Sequence, residues 1–400
     1  MKECERMEKI PVSSPDIGSI EISLVNQVLR TPYLSMGPIM ERFEQAMATY
    51  LGVYHAVAVS SGTAGLHLAV IASGIGEGDI VITTPFSFVA SANVVLYERA
   101  TPVFVDVDSE TGNIDPSRVA ECAHDLSKSG ESAKHWLAPL IKNSMSEIRN
   151  LKSVLPVHSF GQPANMDPII ETARRYNLMV IEDACEAIGA EYKRRKVGTL
   201  GDVAVFGFYP NKQITTGEGG MIVTKRENWD SLFRSLRNQG RDVFNEWLNH
   251  ERLGYNYRLD ELSSALGLAQ LERIEELLGK REQVANWYNE RLADIELVER
   301  PYIAFTTTRM SWFVYVVRIK PPAHRDEVMR KLAERGIPSR PYFTPIHLQP
   351  FYRKKFGYQR GDFPITEHLG DVSLALPFSG VMIEDQVEYV CNALRKILQE

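Results

Sequence analysis

Short runs of β-branched and aliphatic residues alternate along the chain with stretches whose apolar positions recur every three or four residues. The runs Ala56–Val59, Ile80–Thr83, Val103–Val107, Val154–Val157, Leu178–Ile181, Val203–Phe208 and Met221–Thr224 predict strands. They are apolar at consecutive positions, the pattern of strands covered on both faces. Helical patterns intervene, such as Ile39–Leu51, where Phe43, Met47 and Tyr50 share a face and Gly52 supplies the stop. Strands of this kind separated by helices predict a mostly parallel sheet between two helical layers. In such sheets the loops at strand ends carry the chemistry.

The rhythm breaks between His124 and Asn150, where the chain turns polar and a surface excursion is expected. Asp260 is placed to cap a long helix, Glu261 to Arg281, with Leu262, Leu266, Ala269, Ile274 and Leu277 as its apolar stripe. Further on, Trp312–Ile319 reads as a strand, Arg325–Arg335 as a helix ended by Gly336, and Asp385–Leu398 as an amphipathic helix. The pattern predicts two domains, a large α/β/α unit over residues 1–265 and a smaller α+β unit over residues 266–400.

Composition removes several function classes. A net charge of -6 and a pI near 5.9 argue against nucleic acid as a partner, which needs a basic stripe. The four cysteines are widely spaced, which disfavours a zinc site or a disulfide framework, and no metal site is expected. No run is long and apolar enough to span a bilayer, and the charged start lacks the apolar core of a secretory signal. A soluble cytoplasmic protein is the expectation.

Candidate chemistry gathers at predicted strand ends. Lys212 sits in a turn between two apolar runs, with Gly217, Gly219 and Gly220 crowding its C-terminal side. A lysine that forms a Schiff base with a flat cofactor needs backbone close by, and glycine permits that approach. Asp183 follows the run Leu178–Ile181 as half of the acidic pair Glu182-Asp183. A lysine and a carboxylate at the pyridinium nitrogen are the two groups that pyridoxal 5'-phosphate (PLP) chemistry requires. Asp183 also reads as an ordinary cap for the segment beginning at Ala184. Ser60-Ser-Gly-Thr-Ala-Gly65 precedes a helical run, so its backbone N–H groups and the Thr63 hydroxyl suit an anion, although the motif also fits a plain strand-to-helix turn. Phe86 and Phe88, at the end of another predicted strand, are both available to stack on a ring or to fill the core.

These blocks, in order and spacing, resemble the DegT/DnrJ/EryC1/StrS family of sugar-nucleotide aminotransferases. The matching text runs from Leu34-Ser-Met-Gly-Pro38 and Ser61-Gly-Thr63 through Pro85-Phe-Ser-Phe88, Val157-His-Ser-Phe-Gly-Gln-Pro163 and Glu182-Asp-Ala-Cys-Glu-Ala187. It continues with Tyr209-Pro-Asn-Lys212, Gly254-Tyr-Asn-Tyr-Arg258 and Pro345-Ile-His-Leu-Gln-Pro350. The resemblance implies a fold-type I PLP-dependent transferase with a mixed, mostly parallel sheet. It implies Lys212 as the cofactor-linked and proton-moving residue, and Asp183 as the partner of the pyridine nitrogen. Phe88, not Phe86, becomes the stacking aromatic, and Gly62 and Thr63 become phosphate binders. Asn256 aligns with an asparagine that reaches the phosphate of the neighbouring subunit, which implies at least a homodimer. His158, Arg340 and His347 are candidates for substrate contact, and each histidine equally fits a buried structural role.

Two departures stand out. Gly207 occupies the position where many relatives keep a phosphate-holding serine, and Glu186 stands near the ring oxygen where Gln or His is common. Relatives with His in place of the lysine catalyse dehydration; Lys212 argues against that branch. The implied activity is amine transfer from an amino acid, glutamate, to a keto-sugar linked to a nucleoside diphosphate. The block Asn211–Gly220 looks most like the perosamine-synthase type, which acts on a 4-keto-6-deoxy sugar. The alternatives are a PLP aminotransferase acting on a keto-cyclitol and a non-catalytic PLP-binding regulator of the same fold. A Rossmann dehydrogenase would need a G-x-G-x-x-G phosphate loop, which the sequence lacks.

Overall fold

The computed structural model describes residues 10–128, 130–142, 150–241 and 249–400. All seven predicted runs become strands of one sheet: β1 (His55–Val59), β2 (Ile80–Thr83), β3 (Thr101–Phe104), β4 (Leu151–Val154), β5 (Met179–Asp183), β6 (Val203–Gly207) and β7 (Gly220–Thr224). Their spatial order is β1-β7-β6-β5-β4-β2-β3. Only β7 runs against its neighbours, pairing antiparallel with both β1 and β6, so the sheet is mixed but mostly parallel. β3 and β4 begin and end earlier than their apolar runs suggest. The chain after β4 meets Pro156, which has no N–H for a ladder, and Val157 makes only an isolated bridge to Asp183. Pro102 is tolerated in β3 because that strand is the sheet edge.

Helices cover both faces. The helix Gly62–Ala72 lies so close to the sheet that a Cβ on Gly65 would stand 2.6 Å from Val205 Cγ1. That approach brings the start of this helix down onto the ends of β5 and β6.

The expected long helix from Glu261 is two helices. Asp260 caps the first, Glu261–Glu272, by accepting from the Ser263 N–H at 2.8 Å. The chain bends at Arg273 and a second helix runs over Ile274–Arg291. The first helix also faces differently from its predicted stripe. It buries Ser264, Ala265, Gly267 and Leu268 and leaves Leu262 and Leu266 half-exposed, because Gly267 packs directly on Phe43. The second helix buries Ile274, Leu277 and Leu278 in one apolar cluster and Val284, Ala285 and Tyr288 in another. The latter cluster fills the space under a four-stranded sheet formed by Val298–Glu299, Tyr315–Ile319, Ser373–Leu376 and Arg340–Pro341, together with the terminal helix Glu384–Gln399.

The polar excursion after His124 is more structured than its composition suggests. Residues 131–136 form a helix, Leu137 and Ala138 are buried, and the Leu140 N–H donates to the Phe356 carbonyl. Residues 143–149 of that excursion lie outside the described residues.

Candidate active site

Strands β6 and β7 are joined by the loop that carries Lys212. The loop is folded on itself by Lys212 N–H to Tyr209 carbonyl, Thr216 N–H to Phe208 carbonyl and Phe208 N–H to Gly219 carbonyl bonds, all 2.9 to 3.0 Å. Glycine is required where this hairpin meets the next turn: a Cβ on Gly220 would lie 2.7 Å from the Ser61 carbonyl atoms and 2.8 Å from the Gly62 nitrogen. The lysine loop and the Ser61–Gly62 turn are therefore held backbone to backbone.

The Lys212 side chain is largely buried, with its amine 3.5 Å from Glu186 Oε1 and 3.7 Å from the centre of the Phe313 ring. Glu186 is buried, and its other oxygen accepts the Phe160 N–H at 3.0 Å. Burial pushes the Glu186 carboxyl above the usual range; the charge of Lys212 and the Phe160 N–H oppose this, and Asp183 adds to it. Tyr342 completes this side. Burial, reinforced by Glu186, pushes its hydroxyl up to about 12, with Arg340 pulling the other way.

Strand alternation divides the acidic pair at the end of β5. Glu182 points to the back, where it accepts from His158 Nε2 and from the N–H groups of Gly198, Leu200 and Gly201. Burial alone would raise its carboxyl, but these donors prevail and hold it below the usual range. Asp183 points to the site. Its Oδ2 accepts the Ser91 hydroxyl at 2.7 Å and its Oδ1 accepts the Cys185 N–H at 3.1 Å, a local turn of the kind a capping residue makes. Ser91 in turn accepts from Ser87 at 3.2 Å, so the carboxylate is held by a short chain of hydroxyls.

The third wall is the start of the helix Gly62–Ala72. Ser61 caps it by taking the Ala64 N–H at 3.0 Å, which leaves the Gly62 and Thr63 N–H groups without a partner among the described residues, at the positive end of the helix dipole. A Cβ on Gly62 would lie 2.7 Å from Cys185 Sγ and 3.4 Å from Gly207 Cα. The two glycines and Cys185 thus form a floor with no projecting side chain above it.

The sequence profile of the DegT/DnrJ/EryC1/StrS aminotransferase family matches residues 15–395. The chain belongs to this family. It is 40% identical to a GDP-perosamine synthase of Caulobacter vibrioides, over 98% of this chain and 99% of that one. It is 35% identical to the spore coat polysaccharide biosynthesis protein SpsC of Bacillus subtilis, over 99% and 98%. Among solved structures, a DegT/DnrJ/EryC1/StrS aminotransferase from Brucella abortus is similar, with a TM-score of 0.84, 29% identity and 95% coverage of both chains. The protein is a PLP-dependent aminotransferase with the α/β fold of fold type I. The residues present fit that cofactor: a buried amine, a carboxylate oriented by two donors, and two N–H groups with no partner among the described residues, beside a glycine floor.

The remaining candidates separate by exposure. Phe86 is buried between Phe160 and Phe343, whereas Phe88 is 64% exposed, so only Phe88 presents a ring face. A groove of about 870 Å³, lined by Ser87, Phe88, Asn93, Tyr97, Phe343 and Lys355, opens beside it. Lys212 does not line this groove; it borders a much smaller recess behind, with Asp16, Gln213 and Arg281.

The structure gives both histidines inward-facing roles. His158 is fully buried, accepts the Ala164 N–H at Nδ1 and donates from Nε2 to Glu182, which leaves no ring nitrogen for a substrate. His347 is equally buried against Glu367, 3.0 Å away, and burial holds it below the ordinary histidine range although Glu367 pulls upward. Arg340 is exposed and donates to the neighbouring Ser339 carbonyl. Asn256 is exposed on a segment anchored beside the site by the Ser60 N–H to Tyr257 carbonyl bond.

Sequence reasoning missed Ser91, Phe313, Tyr342 and Arg281. Ser87 and Ser91 lie four residues apart beside Phe88, which was a usable signal for the first. The other three sit in unremarkable apolar or helical contexts; the fold brings Phe313 and Arg281 to Lys212 and Tyr342 to the Phe160 and Glu186 side.

Proposed function

We propose that this aminotransferase moves an amino group from glutamate to the keto group of a hexose carried on a nucleoside diphosphate, a 4-keto-6-deoxy sugar, in amino-sugar formation for a surface polysaccharide. The observation that carries the substrate class is the end-to-end match to a GDP-perosamine synthase at 40% identity. When bound, PLP supplies a protonated pyridine ring that draws electrons from the carbon being deprotonated. Asp183 would keep the ring nitrogen protonated, and its bonds to Ser91 and Cys185 fix its direction. The Gly62 and Thr63 N–H groups and the Thr63 hydroxyl would hold the phosphate, and Phe88 would offer its exposed face to the ring. Lys212 would hold the cofactor through its amine and would move the proton from the donor's α-carbon to the cofactor. Glu186, 3.5 Å from that amine, would hold it beside the reacting carbon.

The same reading includes a homodimer in which Asn256 serves the partner's phosphate site; its exposure beside the Ser60–Gly62 turn favours this. It also includes two units, residues 1–265 and 266–400. The separate apolar clusters favour two units but place the change along the helix Ile274–Arg291, because residue 265 lies inside the helix Glu261–Glu272 and Leu268 and Leu271 pack in the first unit's cluster.

Glutamate added to the purified, PLP-loaded protein should bleach the visible band of the bound cofactor, and the Lys212→Ala protein should show neither the band nor turnover. The aminated cofactor form should then be consumed by a GDP-, UDP- or dTDP-linked 4-keto-6-deoxy sugar and not by an inosose-type ketone. Consumption by the inosose alone would replace the sugar assignment with the cyclitol one.

A further inference from the structure

Arg281 is 3% exposed, and among the described residues it has no carboxylate partner. Its guanidinium donates to four backbone carbonyls: Trp312 and Phe313 at 3.2 Å each, Asn211 at 3.2 Å and Lys212 at 2.5 Å. Burial alone lowers it to about 10. An unpaired buried cation is costly to a fold, and an apolar residue would pack this part of the helix with no such cost.

The guanidinium has five N–H donors in a rigid planar fork, which suits it to bridging two chain segments. Here the segments are the lysine turn and the Trp312–Phe313 segment, 70 and 31 residues away from Arg281 in sequence. The second segment is bound in turn to the Glu186 side of the site. Phe313 N–H donates to the Phe160 carbonyl, and Phe160 N–H donates to Glu186. Trp312 and Phe160 both hold positive φ, at 50° and 61°, a conformation that bulky residues keep only when their surroundings impose it. A closed circuit of contacts therefore surrounds the Lys212 amine, running Glu186, Phe160, Phe313, Arg281 and back to Lys212.

We propose that Arg281 is the positioning residue for Lys212: by tying the lysine turn to the Trp312–Phe313 segment, it sets the amine between the Phe313 ring and the Glu186 carboxylate. The inference rests on Lys212 being the reacting amine. The charge matters less than the fork, because the bridge needs donors pointing in two directions at once.

The test compares wild-type, Arg281→Lys and Arg281→Ala proteins, each loaded with PLP and followed through the donor half-reaction at saturating glutamate. Labelling of Lys212 by an acetylating reagent in the cofactor-free proteins, read by peptide mass spectrometry, supplies a measure independent of turnover. Both variants should lose about 10²-fold in half-reaction rate, the scale of a small misplacement of a reacting group. Their Lys212 labelling rates should differ from wild type. Guanidinium ion added to Arg281→Ala should restore rate severalfold, and ammonium ion should not. If Arg281→Lys matches wild type in both measures, the proposal is overturned. It is equally overturned if guanidinium restores only the melting temperature of Arg281→Ala and leaves its rate unchanged. Should the wild-type band not respond to glutamate at all, the assignment of Lys212 fails first, and that outcome is distinct from a response shared equally by all three proteins.

Discussion

At the scale of single residues, Gly207 and Glu186 are the two positions where the family resemblance implies a different side chain. In the proposed site a serine at Gly207 would reach toward the phosphate. A Cβ there would meet Cys185 Cβ at 3.3 Å, a tight contact that rotation of the thiol does not relieve, and Sγ at 3.5 Å, an ordinary one, so Cys185 must shift by a few tenths of an ångström. Gly207→Ser should fold, at a cost of about 1–3 kcal/mol. It should tighten PLP binding roughly 2- to 10-fold, the worth of one added hydrogen bond. A fluorescence titration of PLP reads this directly, and weaker binding would show that the floor must stay bare. Glu186 is the second position. Its carboxyl is raised in the fold by burial, so the folded state holds a proton that the unfolded state has lost as pH rises past the usual carboxylate range. Wild-type stability should fall through that window while Glu186→Gln, which still accepts the Phe160 N–H, does not follow. The melting-temperature advantage of Glu186→Gln in the cofactor-free protein should thus grow as pH rises above the usual carboxylate range and level off once Glu186 has lost its proton in the fold. A constant gap would contradict a raised Glu186.

At the scale of elements, the segment Asp16–Val28 is clipped to the two helices that meet at Arg273. Glu21 accepts from Gly18 N–H and Gln270 at 2.8 Å and from Arg273 at 2.6 Å, and Asp16 accepts from Arg273 at 3.0 Å and Lys280 at 2.7 Å. Burial would raise both carboxyls, yet the donors around them prevail and hold both low. The sign is opposite to that of Glu186: this stabilisation is present above the usual carboxylate range and is lost as pH falls through the lowered values. Glu21→Ala should cost about 1–2 kcal/mol at neutral pH by removing one acceptor each from Gly18, Gln270 and Arg273, although Arg273 keeps Asp16 and Glu276 and Gln270 keeps the Asp16 carbonyl. Urea melts at neutral and acid pH should show that cost shrinking in acid. The same clip explains why the predicted long helix breaks at Arg273. Periodicity continues across that residue, so nothing local announced the bend; its side chain is drawn onto a segment some 250 positions earlier, with Asp16 lying 257 residues away.

At the scale of the molecule, Leu29, Tyr33, Leu34 and Leu253 are exposed and Leu262 and Leu266 half-exposed, and the proposed homodimer would have apolar side chains of this kind to cover. If Asn256 serves the partner's site, a dimer of Lys212→Ala with Asn256→Ala chains contains one intact site and one doubly altered site. Mixing the two proteins under exchange conditions should restore wild-type PLP affinity and activity in about a quarter of all sites, the share expected for random pairing in a twofold dimer. Activity after mixing that never exceeds the parents' average would argue that each chain completes its own site.

The sequence by itself determined which segments are strands and helices and which residues can do chemistry. Apolar runs, helical periodicity, Gly52 and Gly336 as stops, and Asp260 as a cap are local signals that the fold obeys. Lys212, Asp183 and the Ser61–Thr63 turn were legible for the same reason, since each lies at the end of a strong apolar strand. Tertiary structure alone decided which way side chains face and what distant chain brings to them. It turned Glu182 and His158 toward each other and away from the site, although each stands in a motif next to candidate site residues. It left Phe88 open and buried Phe86, two residues of one type on one loop. It carried Arg281, which ends an unremarkable helical pattern in the sequence, to carbonyls on two separate segments. A side chain's chemistry is written at its own position, but its direction and partners arise only when segments far apart in sequence are packed together.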